Sequence, residues 1–354
     1  MRSIKASEIA ALCQGRLVGP DLELKGLSGL KEAQPGFLSF LSDPKYAPSL
    51  PSTQASCIMV LPGTAVEGKT AVECRDPYLG FAKAAQLFYR ESNPRPEPGI
   101  HMAAAVSSEA RVDPTASIGP YAVIGAHVEL AAGVVIGSHV ALMGRTSIGA
   151  RTRVSPFAVI GGEPQVLGAS GENTVLEIGS DNVIREFSSI HVGSPNGGGR
   201  TRIGNGNFIL NNVHIAHDCR IGDHCVLASF SALAGHVVLE DHVVFGAMTG
   251  VHQFVRIGES AFTAANSMVS KDTVPYSKVA GDRARFAGLN TVGLRRRGFS
   301  DLAIGRLKHA FHILFHSKLR LEAAADLVKR ECGDVPEVAH LLRFIEESER
   351  GFIR

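Results

Sequence analysis

At 354 residues the chain is long enough for two or three domains with a buried core. Its 36 Lys and Arg nearly balance 34 Asp and Glu, so no global charge argues for nucleic acid or an anionic membrane as partner. The six cysteines form no CxxC pair, the start MRSIKASEIAALCQG lacks a signal-peptide core, and no run of about 18 apolar residues occurs; a cytoplasmic protein with reduced thiols and no stable membrane insertion is expected.

Residues 1–98 read as a small α/β domain. Ser7 is placed to cap a short helix that stops at Gly15. Strand-like runs follow at 22–27, 37–41 and 56–61, and 79–89 has helical spacing with Phe81, Ala84, Ala85, Phe88 and Tyr89 on one side. Pro94, Pro96 and Pro98 mark a stiff linker.

A repeat then takes over, over residues 99–283. Val106, Val112, Ile118, Ile124, Leu130, Ile136, Leu142, Ile148, Val154 and Ile160 recur at an interval of six. After a break at 161–177 the phase resumes at Ile178, Ile184 and Ile190. A second, glycine-rich break at 191–202 precedes a third run from Ile203 to Ile257. Six fits neither a helix of 3.6 nor a lone strand of 2. It is the period of a parallel β-helix built as a triangular prism, one hexad per side with the aliphatic residue pointing in. Breaks in such a solenoid are expected to be loops that leave the prism and serve a site. Residues 284–354 return to helical spacing. Ser300 is a candidate N-cap, two more helices fit 321–330 and 335–349, and this tail is expected to cap the open solenoid end.

Within the third run, polar residues recur at three hexads. His217, Gly235 and Gln253 are eighteen apart, as are Asp218 and His236 one position over. Such residues lie above one another on successive coils, roughly 4.8 Å apart. An imidazole near neutral pKa is a competent general base, and a glycine N–H in the same cleft can stabilise an oxyanion. Together they suit direct acyl transfer from a thioester to a hydroxyl or amine, with Asp218 or another neighbour orienting the ring. No Ser or Cys nucleophile sits in the column, so no acyl-enzyme is expected. Two other readings fit the same histidine-rich stretch (His214, His217, His224, His236, His242, His252): a zinc site between subunits, as in the γ-class carbonic anhydrases, and a purely structural cluster. A non-catalytic binding scaffold is the third alternative.

The segments HIAHDCRIG, LAGHV, GVHQF, PYSKVAGDRARFAGLN and GLRRRGF, with the GGEPQ and GGGRT loops and the terminal RGFIR, resemble the UDP-N-acetylglucosamine O-acyltransferases that open lipid A biosynthesis. The resemblance spans about residues 100–354. It implies a homotrimeric left-handed parallel β-helix with sites between subunits. It also implies transfer of an (R)-3-hydroxyacyl group from acyl carrier protein to the 3-position of a UDP-amino-sugar, with no cofactor beyond that thioester and no metal. By it His217 is the general base, Asp218 its neighbour, and Gly235 the oxyanion donor. His214, His236, His252 and Gln253 line the substrate cleft, Asn290, Arg296 and Arg297 meet the nucleotide sugar or carrier, and Ala265 lies in the acyl-chain groove. Two departures stand out. Where that family usually reads Pro-Gln-Asp-Leu-Lys-Tyr this chain has Pro164, Gln165, Val166, Leu167, Gly168 and Ala169, and Val292 replaces a glutamate.

The front segment GFLSFLSDPKYAPSL instead resembles the uridine-binding domain of the UDP-3-O-acylglucosamine N-acyltransferases. That likeness implies an aromatic pair, Phe40 and Tyr46, clasping uracil; the competing reading is that Phe37, Phe40 and Tyr46 belong to the small domain's core. Asp43 stands where that family usually has Asn. N-acylation of UDP-3-O-acylglucosamine, or of a 3-amino UDP-sugar, is the corresponding alternative activity.

Overall fold

The computed structural model describes residues 3–92, 96–168 and 173–354; Pro94 of the linker and Ala169 of the first break lie outside them. The chain forms two compact units, Met1–Arg95 and Pro96–Arg354.

The front unit is a five-stranded sheet in the spatial order Arg16–Val18, Thr70–Glu73, Cys57–Val60, Phe37–Phe40, Gly26–Leu27. Only the first pairing is antiparallel. The middle strand Cys57–Val60 is buried at all four residues, as a parallel strand covered on both faces must be. Helices α1 (Ala6–Leu12) and α2 (Pro77–Ser92) contribute Ile9, Ala10, Ala84 and Phe88 to a core with Leu38, Met59 and Val72. Ser7 does not cap α1. It sits within the helix, and its N–H and hydroxyl both donate to the Asp21 carboxylate, at 2.9 and 2.8 Å. A carboxylate distant in sequence thus serves an orphan helix N–H in place of the local hydroxyl.

Pro96–Arg354 is built on a triangular prism of parallel strands. Among the described residues its three faces hold eleven, nine and eight strands. Neighbours in a face are one coil apart: Val226 pairs with Val244 on the first face, His214 with Ala232 on the second, and Arg220 with Val238 on the third. In most two-residue strands the second residue turns inward and the first outward, so Ile215, Ile221, Leu227, Leu233 and Leu239 are buried and the hexad marks the core. Corner residues are repeatedly left-handed. At the edge between the second and third faces Asp218, His236 and Phe254 have φ of 61°, 62° and 63°. A non-glycine residue pays roughly 1 kcal/mol or more there, and stacking of flat side chains offsets it. The His236 ring lies on Phe254 at 4.4 Å and 13°. At the edge between the first and second faces Tyr121, His139, Phe157 and Phe187 stack in one ladder.

The two breaks have one destination. Neighbours elsewhere 18 residues apart become Ile148 with Ile178 across the first and Ile178 with Ile203 across the second, so the coils continue while the inserts loop out. Both leave between a second-face strand (Val159–Gly162, Ser189–His191) and a third-face strand (Val175–Ile178, Arg200–Ile203). That is the edge of Asp218 and His236.

At the C-terminal end Ser277–Ala280 joins the first face, and Arg285–Leu289 pairs antiparallel with it. The repeat's loss at 283 therefore marks a change of strand direction, and the helices start later. They are α3 (Thr291–Arg296), capped by the Asn290 side chain, α4 (Asp301–His316), capped by Ser300, α5 (Leu321–Cys332) and α6 (Pro336–Glu346). Their core includes Leu294, Leu307, Phe311, Leu341 and Phe344 and reaches Tyr276 of the last coil. Residues 351–353 then pair with Asp272 through two backbone hydrogen bonds, which covers part of the open sheet edge.

Candidate active site

The turn that joins His214–Ile215 to Arg220–Ile221 places His217 and Asp218 side by side. Asp218 is 5% exposed and heavily engaged. It accepts from the Ser194 N–H at 3.1 Å, the Ser194 hydroxyl at 2.6 Å and His217 Nδ1 at 2.8 Å. Its own N–H donates to Thr201 Oγ1 at 2.8 Å. Burial alone would raise this carboxyl, but the Ser194 and His217 hydrogen bonds outweigh it and hold the pKa below the usual carboxylate range. Asp218 is therefore ionised and can only accept. That places the His217 proton on Nδ1 and leaves Nε2 with a free lone pair. Among the described residues Nε2 has no partner.

Gly235, one coil on, is glycine for a steric reason. Its φ is ordinary, but a Cβ there would lie 2.5 Å from His217 Cε1 and 2.7 Å from Nε2. The imidazole rests on the glycine backbone, and among the described residues the Gly235 N–H has no acceptor. The His236 ring meets His217 edge-on at 5.3 Å, and its Nε2 is 3.7 Å from Asp218. Burial lowers the His236 pKa despite that nearby charge, which favours a neutral ring.

The other expected site residues divide. His214 lies on the adjoining strand, its Nδ1 2.8 Å from Ser189 Oγ, with its pKa lowered by burial. His252 and Gln253 are exposed one coil further along the same edge. Asn290, Arg296 and Arg297 do not join His217 within one chain. They line a separate cavity of about 490 Å³ at the edge between the third and first faces, with His224, His242 and Lys278. Ala265 is exposed at the remaining edge, near Gly246. Val166 and Leu167 of the altered loop are also exposed. In the front unit, the Phe40 ring packs on Phe81 at 4.5 Å and Tyr78 at 5.8 Å, while Tyr46 is 48% exposed with the Lys45 ammonium 4.8 Å above its ring. Tyr46 is thus no core residue.

Sequence reasoning missed the second break's contribution. Ser194 and Gly197 fold onto Asp218, and a Cβ on Gly197 would strike that carboxylate. It also missed Arg200, Arg202 and Arg220, which with Asp218 and His236 line a cavity of about 500 Å³. The eighteen-residue spacing of Arg202 and Arg220 was the available signal. His217, Asp218 and His236 are close enough to hold a metal ion. However, Asp218 already accepts three donors, and these contacts form a relay to the free Nε2 of His217.

A parallel β-helix whose corner carries a carboxylate-held imidazole on a glycine defines a hexapeptide-repeat acyltransferase. Residues 200–235 match the bacterial transferase hexapeptide family. Residues 272–353 match the family described as UDP N-acetylglucosamine O-acyltransferase, domain 2, and residues 21–87 that described as UDP-3-O-(3-hydroxymyristoyl) glucosamine N-acyltransferase, LpxD. The acyl-(acyl-carrier-protein)–UDP-N-acetylglucosamine O-acyltransferase of Myxococcus xanthus is 49% identical over 255 residues, 72% of this chain and 99% of the relative. That of Thermodesulfovibrio yellowstonii is 46% identical with the same coverage. The solved structure of LpxA from Acinetobacter baumannii superposes with a TM-score of 0.70 at 39% identity, covering 72% of this chain and 99% of that one. The UDP-N-acetylglucosamine acyltransferase of Campylobacter jejuni gives 0.69 at 36%, with the same coverage. The chain belongs to the acyl-(acyl-carrier-protein)–UDP-N-acetylglucosamine O-acyltransferase family, and its prism is the left-handed parallel β-helix of that family.

Proposed function

We propose that the protein transfers an (R)-3-hydroxyacyl group from acyl carrier protein to the 3-hydroxyl of UDP-N-acetylglucosamine, the reaction that opens lipid A assembly. The observation that carries this is the Asp218–His217–Gly235 arrangement. His217 Nε2 takes the hydroxyl proton as the oxygen attacks the thioester carbonyl, and Asp218 stabilises the imidazolium. The Gly235 N–H meets the developing oxyanion. Attack forms the C–O bond of the ester; collapse of the tetrahedral intermediate then restores the carbonyl and breaks the C–S bond, and the His217 proton passes to the departing thiolate. The Arg200, Arg202 and Arg220 wall suits an acidic carrier protein or a diphosphate.

The cavity of Asn290, Arg296 and Arg297 lies at a different edge from His217. We assign both to one site in a homotrimer, the His217 edge of one subunit facing the cavity of the next. Sedimentation at three times the 37.5 kDa chain mass supports this, and a monomer refutes it.

The front unit favours a second reading, N-acylation of UDP-3-O-acylglucosamine, because residues 21–87 match that enzyme's family. One assay decides. The protein is incubated with 3-hydroxyacyl carrier protein and either acceptor, and products are read by mass spectrometry. Product with UDP-N-acetylglucosamine alone is expected; product with the O-acylated sugar alone would reverse the assignment. We assign Tyr46, with Phe40, to uracil stacking, compensating for the side chains lost at Val166, Gly168 and Val292. Tyr46→Ala is then expected to raise the acceptor KM several-fold, and an unchanged KM would remove the front unit from substrate recognition.

A further inference from the structure

The cavity at the edge between the third and first faces has no carboxylate among its lining residues, while His224, His242, Lys278, Arg296 and Arg297 all face it. Its chemistry is that of an anion site. Arg297 is anchored from one side only. Its Nη1 donates to Glu259 Oε1 at 2.8 Å and to Ser260 Oγ, and the guanidinium lies over Phe299 at 5.1 Å. Nε and Nη2 have no partner among the described residues. Half of the planar fork is pinned, and the other half is available to a ligand in the cavity.

What pins it extends beyond the prism. Glu259 uses Oε2 toward Tyr276 Oη (3.3 Å) and His340 Nδ1 (3.5 Å), and the Tyr276 hydroxyl meets His340 Nδ1 at 2.8 Å. His340 Nε2 is 2.9 Å from Glu240 Oε2, which also accepts the Glu259 N–H at 2.8 Å. His340 is carried on α6 and does not line the cavity. The groups facing it are Glu240 and Glu259 from the prism corners and Tyr276 from the last coil. Glu337, one turn back on α6, keeps a buried carboxylate oxygen with no partner among the described residues. The hydrogen bonds that His340 donates to Glu240 and then to Glu259 push its pKa up to about 9. The His340 hydrogen bond foremost, and Arg297 after it, push Glu259 down to about 2 against the effect of burial. Near neutral pH the ring is a fixed imidazolium between two carboxylates.

We propose that His340 is a positioning residue for the anion site: through Glu259 it holds the Arg297 guanidinium so that its free N–H groups meet a phosphate in the cavity. This rests on the acyltransferase reading only for the occupant's identity, which is either the diphosphate of the nucleotide sugar or the phosphodiester of the carrier's phosphopantetheine. The experiment measures calorimetric affinity of the full-length protein for UDP and, separately, for 4′-phosphopantetheine, with wild type, His340→Gln and His340→Lys. His340→Gln is expected to weaken one probe about tenfold at pH 7, and the probe affected identifies the source. Acceptor KM or carrier KM should rise accordingly with kcat little changed. The wild-type advantage should vanish as pH rises through about 9, because the imidazolium is present below that value and lost above it. His340→Lys, with its higher pKa, should keep near-wild-type affinity past pH 9, and it carries the test if His340→Gln fails to fold. A folded His340→Gln that binds both probes as tightly as wild type overturns the inference alone. Wild-type protein that binds neither probe removes the inference together with the function.

Discussion

His217 and His340 are both held by carboxylates and come out opposite. His217 has one carboxylate, Asp218, which Ser194 has already partly satisfied. One ring nitrogen is fixed and the other stays open over Gly235. His340 has two carboxylates and a phenol, one at each nitrogen or shared, so both nitrogens are engaged and the half-buried ring is a cation. The count of acceptors around an imidazole, more than its burial, decides whether it serves as a base or as a strut. A single carboxylate sets the tautomer; a second one removes the lone pair on which base catalysis depends.

The comparison can be broken in three places. The largest effect is expected from His217→Ala, which removes the open lone pair. Turnover should fall by about 10²- to 10⁴-fold, the usual contribution of a general base, with the melting temperature nearly unchanged because the ring is not core. Retained turnover in mass-spectrometric product assays would end the general-base assignment. Gly235→Ala comes next. Its Cβ would lie 2.5 Å from His217 Cε1, so the ring must leave its seat, and kcat should drop on the order of 10²-fold, as expected for a misplaced catalytic group. Steady-state kinetics showing a KM change alone would place the clash elsewhere. Ser194→Ala is the smallest. It deletes the donor that does most to lower the Asp218 pKa. A depressed carboxyl pKa keeps Asp218 ionised until the pH falls through it, so losing this hydrogen bond should move the acid limb of the kcat profile to higher pH, with a loss of roughly tenfold or less at neutral pH. A superimposable pH profile would show that Ser194 does not tune the relay.

The same contrast explains what was legible in advance. His217 and Gly235, like Asp218 and His236, lie one coil apart in a strict repeat, so their spacing alone stacked them. His340 lies 81 to 100 positions from Glu259 and Glu240, on a helix with its own period, and no spacing links them. Ser194 was hidden for a related reason. The glycine-rich break announced a loop, but not that it would fold back onto Asp218 one coil later. Asn290 lines the cavity and also caps α3, with its amide donating to the Ser260 carbonyl at 2.9 Å, a structural role its spacing did not announce.

In the prism, local and long-range order coincide, because every residue's neighbour lies one coil away. A period of six therefore suffices for the faces, the buried column and the stacked site residues. The helical tail and the front unit have no such translation rule. Their strand order, the Asp21 carboxylate that serves α1, and the seating of α6 against Glu240 and Glu259 depend on contacts between distant segments. Only the packed chain determines which carboxylate meets which ring.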